Sequence, residues 1–573
     1  MHDGPHQPWV LGWCGPLRSA PQLRNEKLII MNSERVLNPT RRRRGRSAAV
    51  VGGSLALALV AASCGNGNGN GNGDAEASEG GGTISTYTCE PQNLQPGNNT
   101  ENCGSRVLQQ LFTGLTEVDY ETYEAQPAMA TDWQTDDQVQ WTFELSDEYT
   151  FHNGDPVTAQ TFVDTWNWVV DPDNAQATAN FHDKFLGYEE VVNGEAEEME
   201  GIRAVDDYTL EIELVEPFGQ LPIVLTYNGF YPMPEAAFDD MDAFQQAPIG
   251  NGRYQMDGEW VHDAEINMDR YEDWPGEDPG TPDRIEWRIY NDIETAYLDV
   301  QAGELDILGE VPPSRIGQIE DDFGENYSQN ESSRFVYIGL PTYQDDWEDV
   351  DLRRALSMAM DREEINEQIF EGAMTPAYGI LPPILPMSRN DACEYCEFEP
   401  EQAAELYEEA GGPSEFTMYT DIGTGHNEYV EAIANQWMSN LPVDDITFQS
   451  LEFAQYLDLH DSREVTGPYR LGWLLAYPSA QYAMEPLYTT GAASNNAEYS
   501  SEEFDEAIRE ANFADAEDAD ELYQAAEDHL LEDLPVLPLF FQDYFIVHTD
   551  RVDNVYSDLS SYVRVEDVTV DED

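Results

Sequence analysis

The chain has 573 residues and carries 27 Lys and Arg against 113 Asp and Glu, a formal net charge of −86. Such acidity excludes nucleic acid and anionic lipid surfaces as partners, because phosphate binding needs clustered Lys and Arg. Aromatic residues at 11% exclude a disordered acidic tail, since tails of that kind lack apolar surface to bury.

Residues 1–30 carry nothing that an export signal needs, which makes Met31 a candidate start. Arg41 to Arg44 and Arg46 then precede an apolar run, Ala48 to Ala62, which ends Ala61-Ala62-Ser63-Cys64. A basic region, a short apolar core and small residues before a cut predict a signal peptide over 1–63, too short to remain as a span. The cysteine behind the small residues resembles a lipobox, in which Cys64 takes a diacylglyceryl group and becomes the first mature residue. Ala61 stands where that motif usually has Leu or Val. The arginines also suit a twin-arginine route, although the residues expected after the pair are missing. From Gly65 the chain alternates Gly and Asn and then runs Gly-rich to Gly82, with no apolar surface to pack. Residues 64–82 therefore read as a flexible tether behind a lipid anchor on the outer face of the cell membrane.

Without residues 1–63 the chain keeps 18 basic residues and 110 acidic ones, and its one lysine is Lys184. The acidity is spread along the whole mature chain, so it reads as adaptation to a salty medium rather than as a surface for cationic substrates. Export also sets the cysteine chemistry. Disulfides Cys89–Cys103 and Cys393–Cys396 are the default outside the cytoplasm. The Cys393-Glu394-Tyr395-Cys396 pair lacks the strand–helix context of a redox motif and the further ligands of a zinc site.

After the tether, Gly82 to Tyr87 reads as an entry strand, and Cys103 to Leu115 has helical spacing of Val107, Leu108, Leu111 and Phe112. Gln140 to Leu145 and Tyr208 to Leu214 alternate as half-buried strands. Val157 to Val170 is a helix with Thr158 as a cap. Helical patterns follow at Asp351 to Phe370, Pro400 to Ala410 and Asp518 to Leu531, and an apolar strand runs from Val536 to Phe541. This mixed order predicts an α/β protein of more than one lobe.

Seven landmarks then occur in order. They are Gln110-Leu111-Phe112-Thr113-Gly114-Leu115-Thr116, Phe151-His152-Asn153-Gly154-Asp155-Pro156-Val157-Thr158-Ala159, and Ala204-Val205-Asp206-Asp207-Tyr208-Thr209-Leu210. Next come Pro248-Ile249-Gly250-Asn251-Gly252-Arg253-Tyr254, the run Leu352 to Arg362, and Pro376-Ala377-Tyr378-Gly379. Gly472-Trp473, followed by Tyr477-Pro478, completes the series. Over roughly residues 83–570 the chain resembles the family 5 extracellular solute-binding proteins, which include oligopeptide- and dipeptide-binding proteins of ABC transporters.

The resemblance implies a two-lobed periplasmic-binding-protein-like fold (type II, with an extra domain) that closes over a ligand in the cleft between its lobes. Carried over, lobe I is 83–112 with 216–335 and 542–573, the extra domain 113–215, and lobe II 336–541. It implies a monomer without cofactor or catalysis that takes a peptide or other small molecule and delivers it to an ABC transporter permease. Peptide ligands of the family lie extended and pair through backbone hydrogen bonds, like an added strand. Gly472, Trp473 and Leu474 would form one wall, with Trp473 as an aromatic lining, and Thr100, Glu101, Asn102 and Cys103 the other. Peptide binders typically place an Asp three residues after the tryptophan to pair the ligand ammonium, and here that position is Ala476. Either another carboxylate takes the role, Glu485 being a nearby candidate, or the ligand lacks a free amine, because a buried unpaired ammonium is costly.

The rivals are another cargo on the same scaffold, such as an oligosaccharide or a nickel chelate, and an exported hydrolase. The histidines of the mature chain show no HxH or HxxxH spacing for direct metal ligation, and GxSxG and HExxH motifs are absent.

Overall fold

Thr83–Thr88 is mostly Thr and Ser, yet five of its six positions are buried, so this strand lies inside a sheet rather than at its rim. The computed structural model describes residues 81–570 apart from 121, 277, 422–425, 515 and 559–561. The signal segment, Met31, Cys64 and the tether up to residue 80 lie outside the described residues.

Thr83–Thr88 is central in a seven-stranded mixed sheet. The order is Tyr327–Asn330, Tyr544–His548, Ile307–Leu308, Thr83–Thr88, Arg284–Ile289, Glu265–Arg270 and Tyr254–Met256. It pairs in parallel with Arg284–Ile289, so about two hundred intervening residues make the crossover. Those residues include a four-stranded antiparallel sheet in the order Ala130–Thr135, Gln140–Leu145, Thr209–Glu213 and Ile202–Asp206. Trp141, Phe143, Leu210 and Ile212 face inward from this sheet and pack with the helix Ala159–Val170. The Thr158 N–H donates to Thr161 Oγ1 at 3.1 Å, which fixes the helix start at the residue expected to cap it.

A six-stranded sheet follows, ordered Met374–Pro376, Val536–Gln542, Phe335–Gly339, Tyr469–Trp473, Glu415–Asp421 and Asp445–Leu451. The chain moves between the two large sheets at Asp543, which separates Val536–Gln542 from Tyr544–His548. The helical pattern from Asp351 to Phe370 resolves into two helices, Val350–Met358 and Arg362–Ile369. The break has a local cause. Asp361 leaves helical geometry to accept from the Glu364 N–H at 2.9 Å, capping the second helix. Arg362, fully buried, donates to the carbonyls of Pro538 and Cys396, each at 2.7 Å, and ties the helix to the sheet. The other helices expected from the sequence run Asn102–Leu111, Pro400–Glu409 and Ala516–Asp533, within a few residues of their sequence spacing.

Three landmarks meet at one point. Gly252 N–H donates to Leu111 O at 2.8 Å, and His152 N–H to Gly250 O at 2.8 Å. Asn251 Oδ1 accepts from the Thr113 N–H at 3.1 Å, and its Nδ2 donates to Thr113 O at 2.9 Å. A side chain at 252 would put a Cβ 2.5 Å from the Leu111 carbonyl carbon, so glycine is required there by close backbone approach.

Candidate functional site

The helix Asn102–Leu111 begins because Glu101 caps it. The Glu101 carboxylate accepts from the N–H groups of Cys103 at 2.6 Å and Gly104 at 2.9 Å, and from Asn99 Nδ2 at 2.8 Å. Burial raises the Glu101 carboxyl above its ordinary range, against these donors, which lower it. Cys103 is bonded to Cys89, with Cα atoms 5.3 Å apart, so the first turn is also covalently held to the end of Thr83–Thr88. Cys393 and Cys396 are bonded in the same way.

This helix start forms one wall of a cavity of about 320 Å³. The other wall is Arg470 to Ala476, running off the end of Tyr469–Trp473. Thr226, Tyr227, Asn228, Glu310, Phe453 and Tyr562 close the remaining sides. Thr100, Glu101, Asn102, Cys103, Gly472, Trp473, Leu474 and Ala476 are thus brought to one space. On one side Tyr469–Trp473 pairs along its length with Phe335–Gly339. On the other it meets Glu415–Asp421 only at Tyr469↔Tyr419, so from Arg470 onward that edge has no strand partner among the described residues. Tyr456 Oη donates to the Arg470 carbonyl at 2.7 Å and marks where the ladder is replaced by side chains.

Trp473 lines the cavity and belongs to the core. Its side chain is only 4% exposed, its Nε1 donates to the Tyr482 carbonyl at 3.0 Å, and its ring lies 5.3 Å from that of Tyr482.

Glu485 lies elsewhere. It lines a neighbouring cavity of about 420 Å³ that shares Thr100 and Trp473 with the first. There its carboxylate meets Lys184 Nζ at 3.0 Å and accepts from Gln481 at 2.6 Å and Asn512 at 3.0 Å. The carboxylate is therefore already matched within the protein. Ala476 lines both the first cavity and a third of about 690 Å³, which also contains Arg253 and Arg564.

Sequence reasoning missed three residues. Arg106, Arg334 and Arg470 all line the first cavity and are 7%, 8% and 6% exposed. Arg106 lies over the rings of Tyr87 and Tyr562, 5.7 and 5.6 Å from their centroids, and donates to Asn102 O at 3.2 Å. Arg334 donates to Tyr544 Oη at 2.9 Å. Arg470 donates to Tyr429 Oη at 2.7 Å and stands 3.6 Å from Asp421. The scarcity of basic residues was the available signal, since arginine in so acidic a chain is a candidate for a specific task. Among the described residues no group of three or more His, Cys, Asp or Glu gathers as metal ligation requires. Among them also, no helix is long and apolar enough to cross a membrane.

Comparison with known proteins adds independent findings. Residues 124–495 match the model of the bacterial extracellular solute-binding proteins, family 5 middle region. The periplasmic oligopeptide-binding protein OppA of Haemophilus influenzae is 27% identical over 478 residues, covering 79% of this chain and 86% of that protein. The dipeptide-binding protein DppE of Bacillus subtilis is 25% identical over 503 residues, covering 83% and 89%. Among solved structures, the unliganded open form of the periplasmic murein tripeptide-binding protein MppA superposes with a TM-score of 0.75 at 22% identity. It covers 86% of this chain and 99% of that one. The Haemophilus influenzae OppA complex with the peptide RPPGFSPFR gives 0.69 at 24% identity, covering 86% and 99%. These structures share a two-lobed binding-protein fold with the chain.

Proposed function

The chain belongs to the bacterial extracellular solute-binding proteins of family 5, and from that membership we propose that it captures a peptide between its lobes and delivers it to an ABC importer. The observation that carries this reading is the strand edge from Arg470 to Trp473, without a strand partner among the described residues, alongside a cavity whose far wall is the capped start of Asn102–Leu111. An extended peptide can add to such an edge through main-chain bonds that do not depend on its side chains. The names of the similar proteins, oligopeptide-binding and dipeptide-binding, support the same cargo class. Contacts from both walls stabilise the closed form, which the permease reads as loaded.

The lobes follow the sheets. Lobe I is 83–112 with 216–335 and 542–573, built on the seven-stranded sheet. The extra domain is 113–215, built on the four-stranded sheet, and lobe II is 336–541, built on the six-stranded one. The mature protein starts at a diacylated Cys64, acts as a monomer on the outer face of the membrane, and binds without turning its ligand over. Its acidic surface suits it to a salty medium.

Native mass spectrometry of the protein extracted from membranes tests cargo and anchor together. The expected result is a mass that begins at an acylated Cys64 and carries adducts at peptide masses. A sugar or metal-chelate adduct would replace the cargo, and an unacylated chain would remove the anchor.

A further inference from the structure

Eighteen Lys and Arg residues follow position 63, against 110 Asp and Glu. Three of those eighteen, Arg106, Arg334 and Arg470, line the one cavity of about 320 Å³, whereas Glu101 and Glu310 are its acidic lining among the described residues. The cavity therefore reverses the charge balance of the rest of the molecule.

The arginines come from both walls. Arg106 lies on the helix Asn102–Leu111, while Arg470 lies on Tyr469–Trp473 and Arg334 directly precedes its neighbour Phe335–Gly339. All three are less than a tenth exposed. Among the described residues of the lining, the arginines outnumber the acids. Glu101 is spent on the backbone N–H groups of Gln92, Cys103 and Gly104 and on Asn99, and Glu310 is half-buried. Asp421 pairs with Arg470 at 3.6 Å from outside the cavity lining, so Arg470 faces the cavity as one half of a buried ion pair. Where a ligand ammonium would need a carboxylate, Ala476 stands, and Glu485 is held by Lys184 in the neighbouring cavity. Like charges gathered in a poorly hydrated site repel, and an anion reverses that balance, with guanidinium matched to carboxylate by its fork of donors.

We propose that this cleft selects an acidic peptide, held by its carboxylates against Arg106, Arg334 and Arg470, and does not anchor it by a free amino terminus. The proposal rests on the peptide-binding reading and narrows its cargo. The surrounding acidic surface repels an approaching anion, so the selection acts at short range inside the cavity and needs salt to screen the exterior.

The test is calorimetric titration of the full chain, purified in detergent and ~2 M KCl, where exposed charges are screened and buried pairs much less so. The probes are N-acetyl-Ala-Glu-Glu, Ala-Glu-Glu, Ala-Lys-Lys-amide and a tryptic digest of serum albumin. Both acidic peptides should bind at least ~10-fold tighter than the lysine amide, with acetylation changing affinity by less than ~3-fold. Arg106→Gln should weaken the acidic peptides by ~10-fold or more with the unfolding temperature retained, whereas the exposed Arg203→Gln should not. Equal or tighter binding of the lysine amide, or a strict need for the free amine, overturns the proposal. Binding of the digest without either acidic peptide overturns it too, but leaves the peptide-binding reading standing. If neither the digest nor any probe binds, both fall.

Discussion

His182 and His460 are buried in aromatic surroundings, and burial pushes each imidazole down to about 3. His182 lies against Trp166, Phe185 and Phe230, and His460 against Tyr456 and Tyr469. The unfolded chain protonates these rings near pH 6.5 while the folded one keeps them neutral. Their contribution to stability is whole above pH 6.5 and is lost as pH falls towards 3, by up to ~1.4 kcal/mol per pH unit for each ring. The denaturant midpoint of the wild type should therefore fall between pH 7.5 and 5.5, and His182→Leu should flatten that slope. Identical slopes in the two proteins would remove His182 from the account. At this scale the site was half legible. Gly472–Trp473 and the run Thr100 to Cys103 were named through the family resemblance, and they line one cavity because backbone walls keep their sequence neighbours. The arginines could not, because Arg106 on a helix face has the same local pattern whether that face meets water or a cleft. Trp473 shows the same limit. Its sequence position made it a wall residue, but only the packing reveals that it also fills the core beside Tyr482.

Elements were legible wherever a local rule coincided with the tertiary demand. Gln140–Leu145 alternates and forms a strand with those bounds, and Thr158 caps the helix that its position predicts. The pattern from Asp351 to Phe370 is continuous in periodicity but not in space, because Asp361 prefers the cap and Arg362 is drawn into the sheet. The Leu111–Thr113, His152 and Gly250–Gly252 segments were visible as separate motifs, and their meeting was not. Their junction holds the C-terminal end of the helix that carries Arg106, as Glu101 holds its start. Gly252→Ala should cost about 1–3 kcal/mol or more, because the Cβ meets backbone rather than a movable side chain. Urea unfolding measures this loss, and a variant as stable as the wild type would show that the junction yields.

For the whole molecule, the dominant fact is self-repulsion among 113 acidic residues with 27 basic ones to offset them. At 0.1 M salt the screening length is about 10 Å and at 1 M about 3 Å, so neighbouring surface carboxylates interact at the first condition and scarcely at the second. The unfolding temperature should rise by roughly 10 °C or more between ~0.1 and ~2 M KCl. A salt-independent value in calorimetric scans would mean that the charge is tolerated without screening.

The pair between Lys184 and Glu485 has a practical side. Lys184 is the one lysine after residue 63, so beyond that point an amine-directed acylating reagent meets a single side-chain target. That target sits 3.0 Å from a carboxylate, in a cavity that shares Trp473 and Thr100 with the arginine-lined one. Acylation requires the ammonium to leave its partner and lose a proton. Past residue 63 the chain therefore carries one built-in chemical tag, and the rate at which it reacts is a clock for how often that corner of the molecule comes apart.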